Sequence, residues 1–136
     1  MFLYYNIYIV PAPEAVVIIE SREAPLYEGT TFSLSCLITP NRTGVDTEFA
    51  IQRSFIGPET SATERISLSD TVTSFDDIQF SYSFFPLILN DTGIYECSAI
   101  ALSTIPNITA SDSVINRITL SILGRYIIML HYYDHA

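Results

Sequence analysis

One stretch constrains this 136-residue chain more than any other: Asp91-Thr92-Gly93-Ile94-Tyr95-Glu96-Cys97. It ends on one of only two cysteines. The other closes Thr31-Phe32-Ser33-Leu34-Ser35-Cys36, where apolar and small polar residues alternate. Successive side chains leave a strand on opposite sides, so an alternation of period two marks a half-buried strand. Each cysteine therefore rides on a strand and shares a face with apolar or small neighbours: Phe32, Leu34 and Ile38 for Cys36, and Tyr95, Ala99 and Ala101 for Cys97.

The same period recurs along the chain. Strands are expected over residues 15–20, 31–38, 47–55, 65–69, 78–84, 95–102 and 114–123. In the third, Phe49, Ile51, Arg53 and Phe55 share one parity; in the fifth, Ile78, Phe80, Tyr82 and Phe84 face inward; in the last, Ile118, Leu120 and Ile122 form the core set. Residues 21–27 read as irregular, 59–63 as a polar connector with room for a short strand, and 70–77 as a polar loop. Turn signals roughly every eight to twelve residues, with about seven short strands, describe an all-β sandwich. Thr, Ser, Ile, Val, Tyr and Phe dominate, the composition that suits a pleated, half-buried surface. No helical period competes with it.

Charge removes several function classes. The net charge is −9 and all six basic residues are arginines, so no basic footprint exists for nucleic acid or for an anionic membrane surface. The only histidines, His131 and His135, bracket Tyr132-Tyr133-Asp134 near the C-terminus, where neither a catalytic triad nor a third metal ligand accompanies them. Asp76-Asp77 and the scattered glutamates form no recognised calcium loop, and no glycine-rich phosphate cradle is present. The chain is expected to be no enzyme and to need no metal or cofactor.

Asp91, Gly93, Tyr95 and Cys97, with Cys36 on an upstream strand, resemble the Asp-x-Gly-x-Tyr-x-Cys signature of the immunoglobulin superfamily. The resemblance covers residues 13–123 and implies an immunoglobulin-like Greek-key β-sandwich of two antiparallel sheets. A fibronectin type III or cadherin-like sandwich is the runner-up, and neither predicts this cysteine pair. The resemblance further implies a disulfide between Cys36 and Cys97, persistent only in an oxidising compartment and contributing about 4 kcal/mol on a chain-entropy model. It implies a corner in which the Tyr95 hydroxyl reaches back to backbone at Leu89 or Asp91 while Gly93 gives the turn its freedom. It also implies a bidentate pair between Asp91 and Arg65, the residue that opens the strand over 65–69. The chain departs from the family by having no Trp. An aromatic plate over the disulfide falls to Phe55 or to Phe49.

Residues 1–12 read either as a weak signal peptide or as a junction with a preceding domain, and residues 124–136 as a C-terminal tail. No apolar run approaches the ~18 residues that span a bilayer as a helix. Three N-glycosylation sequons begin at Asn41, Asn90 and Asn107, the first and last in loops. An extracellular or cell-surface glycoprotein follows: a non-catalytic module for cell adhesion or recognition whose protein partner, its own kind or another cell-surface protein, is unnamed. The alternative is a spacer in a tandem array of a receptor ectodomain or matrix protein. The loops over 39–46 and 103–113 are the candidate binding surfaces, because loops on a rigid scaffold are where recognition usually sits.

Overall fold

The strand period resolves into nine strands in a computed structural model that describes residues 10–42, 49–59, 65–103 and 110–124. They are β1 Ala15–Glu20, β2 Leu26–Tyr27, β3 Phe32–Thr39, β4 Phe49–Gly57, β5 Ile66–Ser74, β6 Ile78–Phe84, β7 Gly93–Leu102, β8 Val114–Leu120 and β9 Ile122–Leu123. One sheet runs β1-β3-β6 and the other β5-β4-β7-β8, every pairing antiparallel. The chain crosses between sheets after β3, β5 and β6, so the protein is an all-β Greek-key sandwich. The clearest alternations in the sequence give the cleanest strands. In β3 and β7 every second residue is buried, Phe32, Leu34, Cys36 and Ile38 facing Tyr95, Cys97, Ala99 and Ala101 across the core. Burying a Leu, Ile or Phe side chain stabilises by about 1.5–3 kcal/mol each, so these two strands carry much of the hydrophobic term.

The architecture departs from the sequence expectation at β5. The strand expected over 65–69 extends through Ser74, taking in most of what read as a polar loop over 70–77. It pairs with β4 along its whole length, from Gly57↔Ile66 to Phe49↔Ser74, and not with β6. The physical reason lies in its polar residues. Ser67, Ser69, Thr71 and Thr73 point to solvent on one face, and the inward-parity Asp70 is held by Arg53 directly across the ladder. A polar strand at a sheet edge is thereby satisfied. A second departure is at residues 21–27, read as irregular. Leu26 and Tyr27 pair in parallel with Ile122 and Leu123, seaming the first sheet's side of the chain to the last strand.

Candidate functional site

The corner is built around Asp91, the only fully buried charged side chain among the described residues. A single 3-10 turn, Leu89–Asp91, brings it beneath the sandwich. Its two carboxylate oxygens are divided. Oδ2 accepts from the Ile88 N–H at 2.8 Å, and Oδ1 meets Arg65 Nε at 2.6 Å as an ion pair lacking linear hydrogen-bond geometry. The expected pairing of Arg65 with Asp91 is therefore present, but it is shared with the backbone rather than bidentate. The Tyr95 hydroxyl donates to the Asp91 carbonyl at 2.5 Å, which decides between Leu89 and Asp91. Burial, reinforced by the nearby Asp91 carboxylate, pushes the Tyr95 phenol well above its usual range, with Arg65 opposing. Thr92 completes the corner by accepting from the Ile122 N–H at 3.1 Å, which ties it to β9.

Two glycines make room for this arrangement. Gly93, at φ 150°, opens β7 immediately after the turn. Gly57, at φ 153°, lies against the Tyr95 ring so closely that a Cβ there would overlap the ring carbons. The sequence marks Gly57-Pro58 only as the end of a strand. Its role as the slot for the corner tyrosine becomes visible only when β4 and β7 are set side by side.

Cys36 and Cys97 are bonded, joining β3 of one sheet to β7 of the other. Phe55 stands beside Cys97 in the β4–β7 register and is fully buried, so of the two candidates it is the aromatic that lies beside the disulfide. The side chain of Phe49, the other candidate, lies outside the described residues. Phe55 does not act alone. Phe80, beside Cys36 in the β3–β6 register, meets it edge-to-face at 5.7 Å between ring centres. The Arg53 guanidinium stacks on the Phe80 ring at 4.2 Å and grips Asp70 with two hydrogen bonds, 2.7 and 3.2 Å. An edge-to-face pair contributes about 0.5–1.5 kcal/mol and a cation over a ring about 0.5–2. Two phenyl rings and an arginine thus stack in sequence beside the two cysteines. Arg53 was visible in the sequence only as a polar residue at a core parity.

The sandwich presents two outer faces. On β5-β4-β7-β8, Ile56, Ile94, Ile100, Leu102 and Ile115 alternate with the hydroxyls of Ser54, Ser98 and the β5 Ser/Thr row. The only charges along these rows are Glu96 and Arg117, directly opposed and paired at 2.8 Å. On β1-β3-β6 the outer rows hold Val17, Ile19, Leu37, Ser33, Ser35, Gln79, Ser81 and Ser83, with no charge at all. The sequence points to the loops over 39–46 and 103–113, and this apolar-hydroxyl texture emerges only when neighbouring strands are set side by side. Of those loops, residues 43–48 and 104–109 lie outside the described residues. Of the sequons, Asn90 is exposed on the 3-10 turn, Asn41 is half-buried, and Asn107 lies outside the described residues, as do His131 and His135. Among the described residues no cluster of three metal-ligating side chains occurs, and no helix is long and apolar enough to cross a membrane.

No protein-family model matches the chain, and no curated protein matches it. Among solved structures, one chain from the work described as "Structural basis of T cell specificity and activation by the bacterial superantigen toxic shock syndrome toxin-1" aligns with it over 80% of this chain and 100% of that chain. The two are 15% identical with a TM-score of 0.44, a distant likeness from which no residue role is carried over.

Proposed function

We propose that this chain is an extracellular, immunoglobulin-like, non-catalytic binding module, which recognises a protein partner through the outer face of β5-β4-β7-β8. The observation that carries the reading is the makeup of that face: five large aliphatic side chains, a field of hydroxyls and one self-neutralised charge pair, on a chain whose net charge is −9. A protein surface rich in unpaired acid would repel most acidic partners. A broad face cleared of that charge is the kind of surface that associates. The rigid ladder beneath it keeps the ordering entropy of binding small. The Cys36–Cys97 disulfide supports the extracellular part of the reading, since such bonds persist in oxidising compartments, and glycans at Asn41, Asn107 and Asn90 are compatible with it.

The test is a binding screen of the secreted full chain against cell-surface proteins, itself included. An Ile100→Arg variant should lose the partner more than tenfold while keeping its melting temperature. A captured partner that binds the variant equally well would remove the face from the proposal. A shift in mass on glycosidase treatment of the secreted chain checks the compartment.

The spacer reading draws on a different observation. Ile88, Leu89 and Leu123 are exposed together at the end of the sandwich where β9 finishes. A neighbouring domain would cover them, and the screen would then return no partner for the isolated chain.

A further inference from the structure

We propose that the free edge of β6 is a self-association site, at which a second copy of this chain pairs antiparallel, β6 to β6, about a twofold axis through Ser81. The site is distinct from the outer face invoked above and stands without it.

Because β5 pairs with β4, β6 ends its sheet with β3 on one side only. Among the described residues, no backbone hydrogen bond to the Ile78–Phe84 segment comes from anything but β3. Such an edge is a template for another strand, and proteins usually blunt it with a lysine, a proline, a bulge or a short length. β6 has none of these. It is seven residues of Ile-Gln-Phe-Ser-Tyr-Ser-Phe, in unbroken register with β3 from Phe32↔Phe84 to Ile38↔Ile78. In a chain of net charge −9, the acids nearest in sequence, Asp76 and Asp77, stop just short of it, and Asp77 is already paired with Arg42 at 3.0 Å.

The strand's pattern selects a copy of itself as the occupant. With Ser81 on the axis all seven residues overlap. Ser81 then faces Ser81, Gln79 faces Ser83, Phe80 faces Tyr82 and Ile78 faces Phe84. Hydroxyls and amide meet on the outer side, and aromatic and aliphatic groups on the inner side. No like charges oppose each other, and matched cross-strand pairs of this kind are the unit of sheet stabilisation. One step beyond the ladder Asp77 comes opposite Phe85, at 81% exposure the most exposed large apolar side chain described. The outer faces of the two copies, both without charge, continue into one six-stranded sheet. Asp70, on the same flank, is held by its own Arg53. The Ser35–Ser81 hydroxyl pair at 2.7 Å already fixes the Ser81 side chain on the outer side. A single ladder is smaller than the ~1,600 Å² of a standard interface, so the association is weak, with a dissociation constant on the order of 100 μM.

Sedimentation equilibrium of the full, disulfide-bonded chain tests it, read from roughly tenfold below to tenfold above that constant. The polypeptide mass should rise from 15.2 kDa toward twice that value. Ser81→Lys places two lysines across the axis at an exposed position. It should hold the mass at the monomer value at every concentration with the melting temperature unchanged, while Ser81→Thr associates like the parent. Ile100→Arg, on the other face, should leave the association intact. A parent chain that stays at 15.2 kDa throughout, or a Ser81→Lys variant that associates as the parent does, overturns the proposal. So does loss of association in Ile100→Arg alone, which would assign self-pairing to the broad face instead.

Discussion

Two of the arginine–aspartate pairs in this sandwich, Arg65–Asp91 at the corner and Arg53–Asp70 on the flank, differ in everything except their chemistry. Asp91 is fully buried and shared between Arg65 and a backbone amide. Asp70 is more than half exposed and gripped by both prongs of Arg53. By geometry alone the second is the better bond. By energetics the first matters more, because a buried charge whose partner is removed has no water to replace it, whereas an exposed one is solvated at once. The corner pair fixes the path of the chain between β6 and β7. The flank pair bridges β4 and the polar edge strand β5, where Arg53 and Asp70 stand directly opposite.

The comparison can be broken most sharply at the corner. Replacing Asp91 with Ala strands Arg65 and the Ile88 N–H, and should cost about 3–5 kcal/mol, read from the urea midpoint. Gly57→Ala comes next. It forces an L side chain into a positive-φ position against the Tyr95 ring, and the loss should be about 2–4 kcal/mol, with the corner's amide protection falling alongside it in hydrogen exchange. Tyr95→Phe removes one buried hydroxyl bond and should cost about 1–2 kcal/mol at neutral pH. Because burial raises the phenol's folded-state pKa, its share of stability is complete below the ordinary value of 10.0 and declines as pH rises above it. The gap between parent and Tyr95→Phe should therefore stay constant up to about pH 10 and shrink above it; a gap that stays constant above pH 10 would mean that the phenol is not what alkali acts on.

The flank gives the smallest effect. Asp70→Asn should cost well under ~1 kcal/mol, because the carboxylate is largely solvated. The Arg53 hydrogen bond holds Asp70 below its ordinary pKa of 3.8, so its contribution is present above that pH and is lost as acid carries the group through its lowered folded-state value. Melting temperatures of parent and variant should converge in acid and in high salt. Equal losses at Asp70 and Asp91 would erase the distinction between the pairs.

The corner was legible from sequence because its parts are local: Asp91, Gly93, Tyr95 and Cys97 fall within one turn and one strand. Phe55 was legible to within a choice of two, since period two fixed its parity but not its register against Cys97. The placement of β5 was not legible. Its sequence, Ile-Ser-Leu-Ser-Asp-Thr-Val-Thr-Ser, alternates well enough, but its pairing with β4 along its whole length is a long-range contact that no local pattern shows. Gly57 was hidden for the same reason, its necessity arising from a ring on a neighbouring strand. The outer faces escaped notice because a solvent-side isoleucine has no signature of its own until its neighbours in the sheet are known.

Gly57 and Tyr95 also constrain how this sequence can change over generations. The ring occupies the space where a side chain at 57 would sit, so each residue limits the other although 37 positions of chain separate them. A lineage that first lost the tyrosine ring would free position 57 of its steric constraint, though not of its unusual backbone angle. A lineage that first gained a methyl at 57 would be selected against while the ring remained. Substitutions at the two sites are therefore order-dependent, and Gly57→Ala combined with Tyr95→Ala should be less damaging than the sum of the two. The slot for one tyrosine works as a one-way gate on the paths by which relatives of this chain can diverge.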